Sequence, residues 1–285
     1  MKFFLVTTDH LKDRIWFRDN EDFRVAMNYV AILSYTLGVN VLAFILMSNH
    51  VHFVFQCESP LAKQFIDRFK MLYGTYYKRK YGTSEFLRKV KVDIRELRIE
   101  DESLQRGIAY VAMNSVAANI CPYPYMYQWG TGNCFFNLSS ESFSLLGSIS
   151  VRAQIKLLKS NVKLPDSYKV GVDGYILPSS YIKVKFVESL FRTSNSYRYF
   201  LNNSSKARKH LDSNAAPSFS DQIITAAAKE LCRSLFRSAG IEQLQTSQKA
   251  ELIKQLKMRF SADINQLCRV TGISYKETVS LLEYI

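Results

Sequence analysis

Cysteine is scarce in this chain and follows no disulfide or metal-binding pattern. The 285 residues include five cysteines, an odd number, and they are scattered without the close spacing of a zinc site. We therefore expect free thiols, which are typical of a reducing compartment. The five are Cys57, Cys121, Cys134, Cys232 and Cys268.

Long hydrophobic runs are also lacking. The apolar stretch over residues 1–6 is too short for a signal peptide, and no segment approaches the roughly 20 apolar residues that span a membrane. The sequence thus predicts a cytoplasmic protein with no membrane partner.

Acidic residues are outnumbered by basic ones. The chain has 38 Lys and Arg against 25 Asp and Glu, a net charge of +13, while 47% hydrophobic residues suffice for a sizeable core. An excess of cations attracts phosphates with a salt-sensitive affinity that depends little on sequence. We therefore expect a nucleic-acid partner and a location on the nucleoid.

Histidine is rare as well, yet two of the four histidines are separated by a single residue. A β-strand turns alternate side chains to opposite faces, so His50 and His52 share one face while the apolar residues around them form the other. An isolated pair of this kind can also be two unrelated histidines on an exposed sheet face. A second motif downstream favours a paired imidazole site.

That second motif lies in an apolar-periodic segment over residues 101–120, which predicts a helix with Asp101 at its start. At helical spacing Tyr110 and Asn114 are one turn apart on the same face, so a phenol and a carboxamide are presented together. A lone tyrosine on such a helix is usually core or rim, and the chain has 17 tyrosines. The order of a histidine pair, a basic helix and then this helix favours one joint site.

Together these residues resemble the HUH single-strand nucleases with one catalytic tyrosine. The resemblance is closest to the REP-associated tyrosine transposases and their small insertion-sequence relatives, whose motifs are Leu-Met-x-Asn-His-x-His and Tyr-Ile-x-x-Asn-Pro-Val-x-Ala-Gly. It covers residues 1–135. The chain matches the first motif at Leu46, Met47, Asn49, His50 and His52, and the second at Tyr110, Asn114, Val116 and Ala118.

The chain departs from the family pattern in three places. Ser115 stands where proline is usual and Asn119 where glycine is usual, which bears on how the helix ends. The segment after Lys80 lacks the Trp-Gln-Gly-Arg-like stretch of many relatives, which bears on substrate recognition rather than on the type of reaction.

The resemblance implies a transposase-type endonuclease and strand transferase that acts on single-stranded DNA at hairpin-like element ends. Tyr110 would form a 5′-phosphotyrosine, and His50, His52 and Asn114 would hold a divalent metal on the scissile phosphate. Mixed imidazole and oxygen ligands suit Mg²⁺ or Mn²⁺, although imidazole also accepts zinc or nickel. Such relatives occur as monomers and as dimers, so a homodimer is one of two expected assemblies.

Two other functions stand beside this one. The first is a domesticated, catalytically silent DNA-binding protein or regulator at repeat hairpins. The second is a replication or plasmid-transfer initiator of the wider HUH class. The intact set of four residues favours the enzyme, and the position of the tyrosine downstream of the histidines favours a transposase over an initiator.

The helix predicted after residue 59 concentrates positive charge among aromatic rings. Rings beside cations can stack on unpaired bases. The alternative is an ordinary amphipathic helix with its rings in the core and its lysines in water. The candidate DNA-binding residues of this helix are Lys63, Arg68, Lys70, Lys78, Arg79 and Lys80, and its rings are Phe65, Phe69, Tyr73, Tyr76 and Tyr77.

The predicted elements up to residue 120 indicate an α+β fold. Their order is β-α-β-β-α-β, that of a ferredoxin-like split βαβ antiparallel sheet with helices on one face, followed by the tyrosine helix and a mostly helical C-terminal region. The predicted strands are 3–8, 39–46, 50–56 and 90–97, and the predicted helices are 20–37, 59–80 and 101–120.

Composition divides the chain into four parts. We expect a catalytic domain over residues 1–135, an extension over 136–203, a linker over 204–218 and a helical domain over 219–285. The last domain ends in helices predicted at 249–259, 262–270 and 274–284, which match a helix-turn-helix with Lys276 as the one cation of its recognition helix. Similar helical triplets are also common in proteins that never bind DNA.

Overall fold

A computed structural model describes residues 1–12, 14–137, 142–205 and 219–283. The predicted linker over residues 204–218 lies outside this range except for its first two residues. Among the described helices, none is both long enough and apolar enough to cross a membrane.

An antiparallel sheet of four strands forms the centre of the fold. Its strands lie in the order β2-β3-β1-β4, which is the ferredoxin-like arrangement. The α+β class predicted from the sequence is therefore confirmed. The strands are β1 (Lys2–Thr8), β2 (Asn40–Met47), β3 (His50–Cys57) and β4 (Val92–Leu97), with α1 (Asn20–Leu37) after β1 and α2 (Ser59–Tyr81) after β3.

Different helices pack on the two faces of this sheet. On one face, α1 and α2 bury the aromatic side of β3, where the Phe53 ring packs against Phe65 and Phe69 at 5.5 and 5.6 Å. On the other face, α4 (Ser103–Ala112) packs across β2 and β3 and brings Tyr110 against His52. The two helices of the split βαβ unit share one face as predicted, and the tyrosine helix covers the opposite one.

Local signals explain where α1 begins and ends. The Asp19 carboxylate accepts a hydrogen bond from the Asp22 amide, which satisfies a free donor of the first turn. Gly38 ends the helix in the left-handed conformation, with φ of 63°. The predicted bounds of this helix, 20–37, match the observed ones.

The predicted tyrosine helix over residues 101–120 is instead two helices. It begins at Ser103, whose amide donates to the Asp101 carboxylate, and is interrupted at Met113 before α5 (Asn114–Ala117). At this interruption the Asn114 side chain donates a hydrogen bond to the Tyr110 carbonyl. A short helix, α3 (Glu85–Lys89), lies between α2 and β4 and was not predicted.

The rings of α2 belong to the core. Phe65, Phe69, Tyr73 and Tyr77 are fully buried, and Tyr76 is half-buried. The expectation that these rings stack on unpaired bases is therefore wrong for the four buried ones, because their faces are covered by the sheet and the neighbouring loop. The amphipathic alternative describes this helix.

The extension contributes to the same core as the sheet. Asn28 of α1 makes two hydrogen bonds to the extension. Its side-chain amide donates to the Leu157 carbonyl, and its side-chain oxygen accepts from the Ile176 amide. Leu146 and Phe191 of the extension are buried in the main core cluster. The extension elements are β5 (Phe143–Leu145), α6 (Val151–Leu158), β6 (Lys169–Gly171), α7 (Val184–Phe191) and α8 (Ser194–Asn202), with β5 and β6 forming a second sheet.

The C-terminal region is helical, as predicted, and has a hydrophobic core of its own. Gly272, with φ of 74°, makes the turn between the last two helices, and the Ser274 hydroxyl accepts from the Glu277 amide as a cap. The helices are α9 (Asp221–Phe236), α10 (Thr246–Phe260), α11 (Ile264–Thr271) and α12 (Tyr275–Glu283).

Lys80, near the end of α2, is an internal ion-pair partner. Its ammonium lies 2.7 Å from Asp19, 3.2 Å from Glu21 and 2.9 Å from Asp22, whose side chain is fully buried. Burial alone would lower the pKa of Lys80, but the hydrogen bonds that it donates to Asp19 and Asp22 raise it above its ordinary value. This lysine joins α2 to the start of α1.

We predict that Lys80→Met lowers the free energy of unfolding by about 2 kcal/mol, because it leaves the buried Asp22 carboxylate without its cation. The matched variant Lys78→Met replaces an exposed lysine of the same helix. It should change the free energy of unfolding by less than about 0.5 kcal/mol. Urea denaturation of the two variants measures the difference. Equal losses would mean that the ion-pair network contributes nothing specific to stability.

Candidate active site

Three histidines lie together at one end of the sheet. His10 follows β1, while His50 and His52 lie on β3, and one nitrogen from each ring lies within 4.8 Å of the others. The His10 and His50 rings are stacked at 3.6 Å, and His52 meets His50 edge-on at 4.7 Å. These three side chains could hold a metal ion.

His10 was missed by the sequence analysis. Its position follows from strand pairing, since Thr7 of β1 lies opposite His52 of β3 and the chain continues from Thr7 to His10 at the same end of the sheet. One signal was available in the sequence. His10 comes two residues after β1, and the predicted topology places β1 beside β3, which carries the other two histidines. Loop residues have no periodicity, so this signal was weak.

Asn49 orients the histidines from the turn between β2 and β3. Its amide donates to the Leu11 carbonyl at 2.8 Å, so its oxygen is the atom that faces His50 Nδ1, also at 2.8 Å. That oxygen accepts a hydrogen bond from the protonated Nδ1 and leaves Nε2 of His50 as the nitrogen suited to a metal. The same side chain thus fixes the loop after His10 and the tautomer of His50.

Tyr110 lies against the histidine cluster. Its half-buried ring meets the His52 ring edge-on, with centroids 5.3 Å apart. Burial raises the pKa of the Tyr110 phenol, and the charge of Arg95 on β4 lowers it in part. The predicted nucleophile therefore adjoins the predicted ligands.

Asn114 faces the cavity beside His10 and His50. Its amide group donates to the Tyr110 carbonyl at 2.8 Å and to the Val111 carbonyl at 3.4 Å. This leaves the carboxamide oxygen as the atom of the side chain that suits a cation. The structure thus brings together the four residues predicted from the sequence and adds His10.

The donor set fits a divalent ion. Three imidazole nitrogens suit zinc, nickel and other first-row transition ions, whereas Mg²⁺ and Mn²⁺ favour sites that also offer oxygen ligands, such as the carboxamide of Asn114. His10 supplies a third nitrogen where the resemblance implied an oxygen from Asn114. The observed cluster therefore favours a more nitrogen-rich site than the one expected from the sequence.

A cavity of about 270 Å³ opens beside these residues. His10, His50 and Asn114 line one side of it. The opposite wall comes from the C-terminal helices, with Asp221 and Arg269 among its residues. The site therefore lies between the sheet and the helical C-terminal region.

The predicted DNA-binding residues of α2 fall into two groups. Lys63 pairs with Asp67, Lys70 is buried and donates to the Arg88 and Val90 carbonyls, and Lys80 is in the ion-pair network. These three side chains are engaged by the protein itself. The remaining candidates are Arg68, Lys78 and Arg79, together with Lys276 on α12, and their side chains are exposed.

Comparisons with protein-family models, curated protein sequences and solved structures found no match to this chain.

Proposed function

We propose that this protein is a metal-dependent tyrosine endonuclease and strand transferase for single-stranded DNA. The observation that carries the proposal is the convergence of Tyr110 and Asn114 from one side of the sheet with three histidines from two neighbouring strand ends. A nucleophile beside a cluster of metal-binding side chains is an arrangement suited to phosphodiester cleavage.

Tyr110 performs the covalent step. Its phenolic oxygen attacks the phosphorus, the bond from phosphorus to the 3′ oxygen breaks, and the fragment downstream of the cut stays on the tyrosine through its 5′ phosphate, as a phosphodiester. The phenol proton leaves to solvent, and the departing 3′ oxygen takes up a proton. A divalent ion, when bound, supplies positive charge to the attacked phosphate.

The reverse step joins strands. A free 3′ hydroxyl attacks the phosphotyrosine, re-forms a phosphodiester and releases Tyr110. Because the phosphotyrosine retains the energy of the original bond, joining needs no nucleotide cofactor. Hairpin-like element ends are the substrate that the motif resemblance implies.

A groove on the outer side of α2 supports a nucleic-acid partner. It has a volume of about 380 Å³ and is lined by Lys78, Arg79 and Arg88. None of these three cations pairs with a carboxylate in the described part of the chain. Unpaired cations in a groove attract backbone phosphates.

Arg14 is a further exposed cation that contacts the helix α3. It is four residues beyond His10, and its guanidinium packs over the ring of Phe86 on α3 at 5.3 Å. The helix α3 also carries Arg88, which lines the groove.

We predict that Tyr110→Phe abolishes the covalent protein–DNA adduct because the variant has no attacking oxygen. DNA affinity should stay within about threefold of wild type, since a single hydroxyl is removed. A denaturing gel with 3′-labelled oligonucleotides and Mn²⁺ detects the adduct. Tyr125→Phe, which changes an exposed tyrosine, is the control, and an adduct that persists in Tyr110→Phe would assign the nucleophile elsewhere.

We predict that His10→Ala weakens Mn²⁺ binding at least as much as Asn114→Ala does, by about tenfold or more, because a nitrogen ligand is lost. His52→Ala should weaken it similarly. Calorimetric titration of the purified variants measures these affinities, with Asn195→Ala, at an exposed residue of α8, as the control. Unchanged affinity in His10→Ala would exclude this residue as a ligand.

We predict that replacing the three groove cations by Gln weakens hairpin binding about tenfold or more near 0.1 M salt. The slope of log K against log salt should fall by about 2 to 3, since each lost phosphate contact removes nearly one unit. The altered residues are Lys78, Arg79 and Arg88.

The matched control removes the same charge from the exposed surface of the extension. It replaces Arg152, Lys156 and Lys163 by Gln. If both triple variants lose the same affinity, net charge rather than the groove governs binding.

A further inference from the structure

Asp221 connects the C-terminal helices to the active-site end of the sheet. It lies in the first turn of α9 with 2% of its surface exposed. Its carboxylate accepts from Arg269 at 2.9 Å and from Gln266 at 3.0 Å, both on α11. It also accepts from the hydroxyl of Ser48 at 2.7 Å, which belongs to the turn between β2 and β3.

That turn contacts both segments that carry the histidines. Ser48 and Asn49 directly precede His50, and the Asn49 side chain contacts His50 Nδ1. The Leu11 amide, one residue after His10, donates to the Asn49 carbonyl at 3.0 Å. The position of the turn therefore influences both His50 and His10.

The turn is held from two sides. On one side, the Trp16 amide donates to the Ser48 carbonyl at 2.7 Å. On the other side, the Ser48 hydroxyl donates to Asp221, and Gln222 donates to the Phe17 carbonyl nearby. Asp221 is the one charged group in this set, so its bond to Ser48 is stronger than a neutral one.

We propose that Asp221 is a positioning residue for the metal site. Through Ser48 it fixes the turn that orients His50 and His10, so the C-terminal helices support metal binding and chemistry as well as any recognition of DNA. This inference rests on the proposed metal-dependent function. Partners that orient metal ligands commonly contribute a factor of 10 to 100 in metal affinity or activity.

Ser48→Ala tests the inference with the least damage. It removes the bond between the turn and Asp221 but keeps the Asp221–Arg269 ion pair, which lies 2.9 Å apart within the C-terminal region. We expect Mn²⁺ affinity to fall about tenfold. Raising the Mn²⁺ concentration should restore most of the cleavage rate, because the nucleophile is untouched.

Two further variants separate positioning from general stability. Ser48→Thr keeps the hydroxyl and should retain wild-type Mn²⁺ affinity. Ser34→Ala removes a buried serine bond of similar length, to the Val39 carbonyl at 2.9 Å, on the helix α1 outside the site, and should leave Mn²⁺ affinity unchanged. Asp221→Asn, which keeps the side-chain shape, should weaken Mn²⁺ binding in the same direction as Ser48→Ala.

All variants are measured in the full chain by calorimetric titration with Mn²⁺ alone. Wild-type affinity in both Ser48→Ala and Asp221→Asn would overturn the positioning role while leaving the proposed function intact. Equal weakening in Ser34→Ala would also overturn it, since the effect would then be one of stability. A wild-type protein that binds no Mn²⁺ would overturn the positioning role and the proposed metal site together.

Discussion

The antiparallel pairing of β1 with β3 is the constraint on which the site depends. Because Thr7 lies opposite His52, the end of β1 and the beginning of β3 meet at one end of the sheet. This pairing brings His10 to the two histidines of β3 across about 40 residues of sequence. A shift of one residue in the register would turn the histidines into the core formed with α2.

The two faces of β3 have different roles: one packs in the core and the other carries the histidines of the proposed site. Phe53 and its aromatic neighbours pack against α2 and hold the strand in place. The histidine side faces α4, where Tyr110 reaches His52. The interruption of this helix at Met113 leaves the Asn114 side chain bonded to the Tyr110 carbonyl, so the proposed nucleophile and oxygen ligand are linked directly.

Much of this arrangement could be predicted from the sequence. Alternation and turn residues predicted the strands to within about two residues, and the order of the motifs together with the family resemblance predicted one site for Tyr110, Asn114 and the histidine pair. His10 was missed because it lies in a loop, and α3 because five residues carry too little periodicity. The bond between Ser48 and Asp221 joins residues 173 positions apart, and no local pattern reveals such a contact.

Charge on α2 illustrates a second limit of the sequence. Lys78 and Lys80 are two residues apart and chemically identical, yet one lines an open groove and the other pairs with three carboxylates. Their different roles depend on the start of α1, which lies about 60 residues earlier in the chain. Counting cations on a helix therefore overestimates the surface that can bind phosphate.

The most direct test of the central claim is to map the covalent bond. The protein would be incubated with Mn²⁺ and single-stranded oligonucleotides tiling the DNA that flanks its own gene, and digested peptides would be analysed by mass spectrometry. The account predicts a nucleotide attached through a 5′ phosphate to the peptide that contains Tyr110. An adduct on another residue, or tight hairpin binding without any adduct, would contradict it.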